Sequence, residues 1–264
     1  MLKTLGNIII SFDNLDEFRN LLITKKVGIY NLGPGIGDHV YHTYFPEIYF
    51  KNVGRKVVDL NNKWCYDYNP YVERNQRVDI ALCPWCINDR IKHIENAHSI
   101  SEFIFGPLGF KIELRHPRLY RFENSKKIAN SICVHTDGKS MNTHMSDEII
   151  ETIQKKYDGW EIFQIGGKND RSTPFIDKKG LSMWDTAELI SKCSMFIGMN
   201  SGMLHIANCY PSVWKKVILD EINYTEIEHW NPLNKPKSYW LDSTNTYFNT
   251  SDHDIGMTYS YKEL

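Results

Sequence analysis

Phe196-Ile-Gly-Met-Asn-Ser-Gly-Met-Leu-His-Ile-Ala-Asn208 is the stretch whose reading decides the fold. The apolar residues Met195 to Ile197 read as a buried strand, Gly198 to Gly202 as a turn, and the apolar series from Met203 as a helix. Asn200 and Ser201 fall at the expected helix N-cap, where both residue types accept hydrogen bonds from first-turn amides. Such a strand–turn–helix aims backbone N–H groups and the positive end of a helix dipole at the crevice beside it, which suits a phosphate. His205 lies in the first turn, at the same end of the helix.

A second segment repeats the pattern near the other end of the chain. Val27-Gly-Ile-Tyr-Asn-Leu-Gly-Pro-Gly-Ile-Gly-Asp-His-Val-Tyr-His-Thr-Tyr-Phe-Pro46 reads as strand, glycine-rich turn and helix. Gly33, Gly35 and Gly37 permit close approach of a ligand to the backbone. Asp38 stands at the helix start, where the dipole favours a carboxylate in its ionised form, available as a base. The glycine spacing is not the G-x-G-x-x-G of dinucleotide-binding folds, although Asp59 closes a second strand at Lys56 to Leu60.

Together the two segments resemble glycosyltransferase family 9, the heptosyltransferases that use ADP-heptose to build lipopolysaccharide, and their relatives. The family's opening G-x-G-D, apolar residue, His-Thr and Pro appear here as Gly35-Ile-Gly-Asp38, Val40, His42-Thr43 and Pro46. Its D-S-G-x-x-H-x-A turn appears as Asn200-Ser-Gly-Met-Leu-His-Ile-Ala207. Between them, Val78-Asp-Ile-Ala-Leu82, His98 to Phe110 and Glu161-Ile-Phe-Gln-Ile-Gly-Gly167 follow in the family's order, so the resemblance runs from Val27 to Pro211. Two departures stand out. The family's Asp before Ser-Gly is Asn200, which loses a negative charge near the donor, and its lysine-then-tryptophan pair is missing from His135 to His144.

The resemblance implies an α/β protein of the GT-B class, two Rossmann-like doubly wound domains facing each other across a cleft. It implies an inverting transfer. The donor diphosphate would lie against Ser201, Gly202 and Met203, with His205 nearby and the nucleobase near Gly180 to Trp184, including Met183. Asp38 would take the proton of the acceptor hydroxyl, and Gly35 and Gly37 would line the donor side of the same turn. A cation would balance the leaving group in place of a metal: Lys139 first, Lys168 second. No metal and no cofactor is expected beyond the nucleotide sugar itself. The expected acceptor is a bacterial surface glycan. Alternatives are hydroxymethylated bases of phage DNA, a nucleotide-sugar epimerase of the same fold, and a non-catalytic nucleotide-sugar-binding protein.

Composition fits that class. A chain of 264 residues with 42% hydrophobic content can bury the cores of two α/β domains. The 15 Tyr and 7 Trp supply surfaces on which sugars stack as well as core. A net charge of −1 provides no global field for nucleic acid or an anionic membrane. The longest early apolar run, Ile8-Ile-Ile10, is too short for a secretory leader or a membrane span. Six scattered cysteines read as reduced thiols of a cytoplasmic protein.

Alternating patterns place strands at 27–32, 56–60, 78–82, 131–135, 161–165, 194–198 and 216–219. Helices are expected at 38–51, 99–109, 146–157, 184–192 and 202–209, after a short strand and helix within residues 1–26. The polar stretch His116 to Lys127 marks the boundary between an acceptor-side domain, 1–122, and a donor-side domain, 123–264. Residues Tyr224 to Leu264 carry no family pattern and are read as a tail returning toward the first domain.

Other motifs compete. Cys83-Pro-Trp-Cys86 has redox spacing, and with His93 and His98 it makes a zinc set; both are secondary to buried thiols. Asp252-His-Asp254 imitates a metal motif but stands in a polar tail. Arg115, Arg118, Arg121, Lys126 and Lys127 gather at the boundary, where they would meet an anionic acceptor if exposed.

Overall fold

The computed structural model describes residues 3–5, 8–11, 14–30, 35–83, 105–106, 108–113, 116–138, 143–199, 201–219, 245–249 and 258–264. The chain divides into two compact units, Met1–Arg121 and Phe122–Leu264.

In the first unit, β1 (Lys3–Leu5) and β2 (Ile8–Ser11) lead into α1 (Leu15–Thr24), β3 (Val27–Ile29), α2 (Ile36–Tyr41) and α3 (Phe45–Val53). Then come β4 (Val57–Asp59), a 3-10 turn at Trp64–Tyr66, β5 (Val72–Glu73) and β6 (Ile80–Leu82). The sheet runs β1-β2-β6-β3-β4-β5, parallel throughout except between β1 and β2. Asn14 starts α1 by accepting the amides of Asp16 and Glu17 at 2.9 and 3.1 Å, and two acidic side chains in that first turn suit the dipole. Phe18 and Leu22, four residues apart and so on one face, are the buried side of α1.

The single helix expected over 38–51 is two helices. Thr43 Oγ1 donates to the Val40 carbonyl at 2.7 Å and also accepts the Arg118 amide at 2.9 Å. Pro46, in the first turn of α3, has no N–H for the carbonyl four residues back, so the chain turns at 42–44 and restarts. Gly54, in the left-handed region, closes α3.

The second unit contains β7 (Ser131–His135), β8 (Asp137–Gly138), β9 (Thr143–His144), α4 (Asp147–Lys156), β10 (Glu161–Ile165) and β11 (Ile176–Asp177). It continues through α5 (Met183–Lys192), β12 (Met195–Met199), α6 (Gly202–Asn208), β13 (Trp214–Leu219), β14 (Thr246–Asn249), β15 (Thr258–Ser260) and a 3-10 turn at Tyr261–Glu263. The large sheet is wholly parallel and ordered β11-β10-β7-β12-β13-β14-β15; β8 and β9 form a separate antiparallel pair. By order of appearance the first six strands run 3-2-1-4-5-6, the doubly wound arrangement.

The strand sequences explain the sheet. β7 (SICVH) and β12 (MFIGM) are buried along their whole length, as central strands covered on both faces must be. Ile132, Val134, Ile197 and Ile218 of the sheet pack with Ile149, Ile150 and Ile153 of α4. Ser146 caps α4 through the Ile149 amide, with Asp147 and Glu148 in the first turn and Lys155 and Lys156 in the last, the polarity the helix dipole favours.

Several expectations change here. In the described part of the tail, β14 and β15 extend the second unit's sheet beside β13. The strands β1, β5, β11, β14 and β15 and the β8–β9 pair were not anticipated. Most of the helix expected at 99–109 lies outside the described residues.

Candidate active site

In the second unit the strand order reverses between β7 and β12, so a crevice opens outside their carboxyl ends. β7 delivers His135, with Thr136 and Asp137 behind it; β12 delivers the turn containing Ser201 and Gly202. Ser201 is the N-cap of α6 by backbone, its carbonyl accepting the Leu204 amide at 3.1 Å, but its side chain does not cap. The hydroxyl instead meets His135 Nδ1 at 2.9 Å. The imidazole on the neighbouring strand has drawn away the side chain expected on the first-turn amides. Gly202 begins the helix, while Met203 and His205 are buried within it.

The strand β10 ends beside the same place. The Asp170 carboxylate accepts the Gly167 amide at 2.6 Å, and its Oδ2 stands 3.9 Å from His135 Nε2. Both side chains are buried. Gly166 makes this possible: its φ is +138°, and a Cβ there would collide with Asp170 Oδ2 and lie 3.1 Å from the His135 ring. The Gly180 amide donates to the Gly166 carbonyl at 2.9 Å, which draws the approach to α5 toward the crevice. Lys168 is exposed and packs its stem against Gly180. Met183 and Trp184, half-buried, form the first turn of α5, which Ser182 caps through the Asp185 amide at 3.1 Å; Trp184 lies edge-on to Phe122.

A polar network continues behind His135. Asp137 Oδ1 is 2.6 Å from His144 Nδ1, and its Oδ2 accepts the Thr136 hydroxyl at 2.5 Å. Gln164 Nε2 in turn donates to Thr136 Oγ1 at 3.3 Å. A carboxylate only accepts, so His144 carries its proton on Nδ1 toward Asp137. Lys139 and Asn200 lie outside the described residues. Sequence reasoning passed over His135, Asp137, His144 and Asp170. The available signal was a His and an Asp placed immediately at the end of a buried strand.

In the first unit, Asp38 occupies the third position of α2 and accepts the Gly35 amide at 3.1 Å, with Gly35 exposed and Gly37 half-buried. Burial raises the Asp38 pKa above the ordinary carboxylate value, and the Gly35 bond only partly opposes it. Desolvation thus opposes the ionised form that the helix start would favour. The adjoining His39 is pushed down to about 4 by burial and by the charge of Lys63. Asp59 accepts the amides of Asn61 and Lys63 at 3.0 and 2.8 Å and pairs with Arg74, a local turn rather than a ribose clamp.

The boundary cations are largely engaged inside their own units. Arg118 pairs with Glu47, Arg121 stacks on Tyr68, and Lys127 donates to the carbonyls of Ser191 and Cys193. Lys126 is exposed, and Arg115 lies outside the described residues, as do Cys86, His93, His98 and Asp252 to Asp254. Cys65, Cys83, Cys133, Cys193 and Cys209 are buried thiols. Among the described residues no helix is long and apolar enough to cross a membrane.

Among solved structures, a glycosyl transferase family 9 protein from Veillonella parvula DSM 2008 superposes with a TM-score of 0.55 at 10% identity, over 86% of each chain. The chain shares its fold with that structure. The E. coli heptosyltransferase WaaC with ADP gives the same TM-score of 0.55 at 10% identity, over 74% of this chain and 88% of that one. No protein-family profile matches the sequence, and no curated protein matches it.

Proposed function

We propose that this protein is a glycosyltransferase that moves a sugar from a nucleotide-sugar donor to a hydroxyl acceptor, with inversion and without a metal. The observation carrying this reading is the crevice at the β7/β12 reversal, where Ser201, next to Gly202, meets His135 in a fold shared with a family 9 glycosyl transferase. The donor diphosphate lies against the Ser201–Gly202 turn, and the nucleobase near Gly180, Met183 and Trp184. Lys168, or Lys139, balances the leaving diphosphate. Charge stabilisation of that leaving group is the largest contribution such a site makes to rate.

Asp38 is the general base. Its raised pKa makes it a better proton acceptor than an ordinary carboxylate. The mechanism requires Asp38 of the first unit to reach the acceptor hydroxyl as that oxygen attacks the anomeric carbon. The C–O bond to the diphosphate then breaks, and the diphosphate leaves with the bonding pair. A surface glycan is the preferred acceptor. The engagement of Arg118, Arg121 and Lys127 within their own units weakens the case for DNA.

Thermal denaturation with UDP-, ADP-, GDP- and CDP-sugars tests the reading. At a hundredfold excess over Kd, the cognate donor adds about 2.7 kcal/mol of stability. No shift with any nucleotide sugar would remove the transferase reading.

A further inference from the structure

We propose that His135, fixed by Asp170, is a positioning residue for the donor diphosphate and acts by setting the direction of the Ser201 hydroxyl. The inference rests on the glycosyltransferase reading above.

A serine hydroxyl has one proton and rotates freely unless a neighbour fixes it. At Ser201 that neighbour is His135 Nδ1, 2.9 Å away. The ring is buried and has little freedom of its own. Its other nitrogen faces the Asp170 carboxylate at 3.9 Å; between that negative charge and a bound diphosphate the ring carries a proton on each nitrogen, so Nδ1 donates to Ser201 Oγ and the single hydroxyl proton is left for a phosphate oxygen. Asp170 is in turn anchored by the Gly167 amide, in space that exists because residue 166 has no side chain. Three strand ends, β7, β10 and β12, thus converge on one hydroxyl at the point where the sheet order reverses.

The order Ser–His–Asp is that of a nucleophilic triad, but the geometry differs. Ser201 has ordinary extended backbone, φ −156° and ψ 174°, and the His–Asp separation exceeds a hydrogen bond. The arrangement orients a hydroxyl and does not generate an alkoxide. A hydroxyl held ready contributes to binding without paying to be ordered when the ligand arrives. An oriented hydroxyl gains most against a phosphate oxygen, since hydrogen bonds to charged groups exceed neutral ones.

The test is a double-mutant cycle on nucleoside diphosphate affinity, with ADP, UDP, GDP and CDP as probes and the matching nucleosides as controls. Ser201→Ala and His135→Phe should each weaken diphosphate binding about tenfold and leave nucleoside binding unchanged. The double variant should lose about as much as either single one, because both remove the same interaction. Asp170→Asn keeps an oxygen for the Gly167 amide and removes the charge. It should also weaken diphosphate binding, with no further loss in the Ser201→Ala background, and it serves if His135→Phe does not fold. Losses that multiply to about a hundredfold, or equal losses for the nucleosides, overturn the role of His135. A wild-type protein that binds none of the four diphosphates sinks the transferase reading itself, and this inference with it.

Discussion

Replacing Gly166 by alanine probes the crevice at the position where backbone and site chemistry depend on each other. Residue 166 has φ +138°, a conformation that costs an L-residue roughly 1–3 kcal/mol. The added methyl also collides with Asp170 Oδ2 and forces the carboxylate off the Gly167 amide, now 2.6 Å away. Losing a hydrogen bond to a charged group adds about 1.5–3 kcal/mol. The sum is roughly 2.5–6 kcal/mol, enough to lower the melting temperature of the second unit by about 10 °C or more. Gly159→Ala separates the two contributions: its φ is +78° and a Cβ there has no neighbour within 4 Å, so only backbone strain of about 1–2 kcal/mol remains. Calorimetric melting of both variants, with nucleoside diphosphate titrations on the same samples, is the assay. Gly166→Ala should melt well below Gly159→Ala and bind diphosphate more weakly. Equal melting temperatures, or undiminished affinity in Gly166→Ala, would refute the account of how Asp170 is held.

Three further outcomes are expected. Asp38→Asn keeps an oxygen for the Gly35 amide, so the protein should fold and bind donor normally while turnover falls about a hundredfold or more. Because burial raises the Asp38 pKa, wild-type kcat/KM should fall as pH drops through a value above the ordinary carboxylate range, with Asp38→Asn lacking that limb; a flat wild-type profile there removes Asp38 as base. Glu47 is pushed up by burial, yet Lys51, Tyr120 and Arg118 pull it below its usual value, so its stabilising contribution is present at neutral pH and lost as pH falls through the lowered pKa. Glu47→Gln should cost ~1–3 kcal/mol at pH 7, discounted because Lys51 and Arg118 are partly exposed, and should flatten the acid side of the stability profile; an unchanged profile counts against it. Gly202→Val should weaken donor binding more than His205→Ala, whose ring is buried within α6, and equal effects would place the diphosphate elsewhere.

The legible parts of the fold were those with local signals. β7 and β10 occupy 131–135 and 161–165 as read, because short segments rich in β-branched and aromatic residues between turn residues have few alternatives. Two-residue strands such as β5 and β11 carry no periodicity and exist only because a neighbouring strand end offers partners. The split of the second helix joins a local signal, Pro46, to a distant one, the Arg118 amide that donates to Thr43 Oγ1 from 75 positions away. The glycine turns were visible, but their chemistry was only partly so. Ser201 reads as a cap from its neighbours in sequence, whereas its actual partner is 66 positions earlier. The place of Asp38 at a helix start is legible in sequence, whereas the burial that raises its pKa comes from tertiary packing.

The central claim is that a nucleotide sugar held in the second unit gives up its sugar with inversion to an acceptor hydroxyl. The most direct measurement incubates the protein with its stabilising nucleotide sugar and a cell-surface glycan fraction in EDTA, following released nucleoside diphosphate and the anomeric configuration of the product by proton NMR. The account predicts diphosphate release only when acceptor is present, undiminished by EDTA, and a glycoside of inverted configuration. A product of retained configuration, a strict metal requirement, or an epimerised nucleotide sugar formed without acceptor would contradict it.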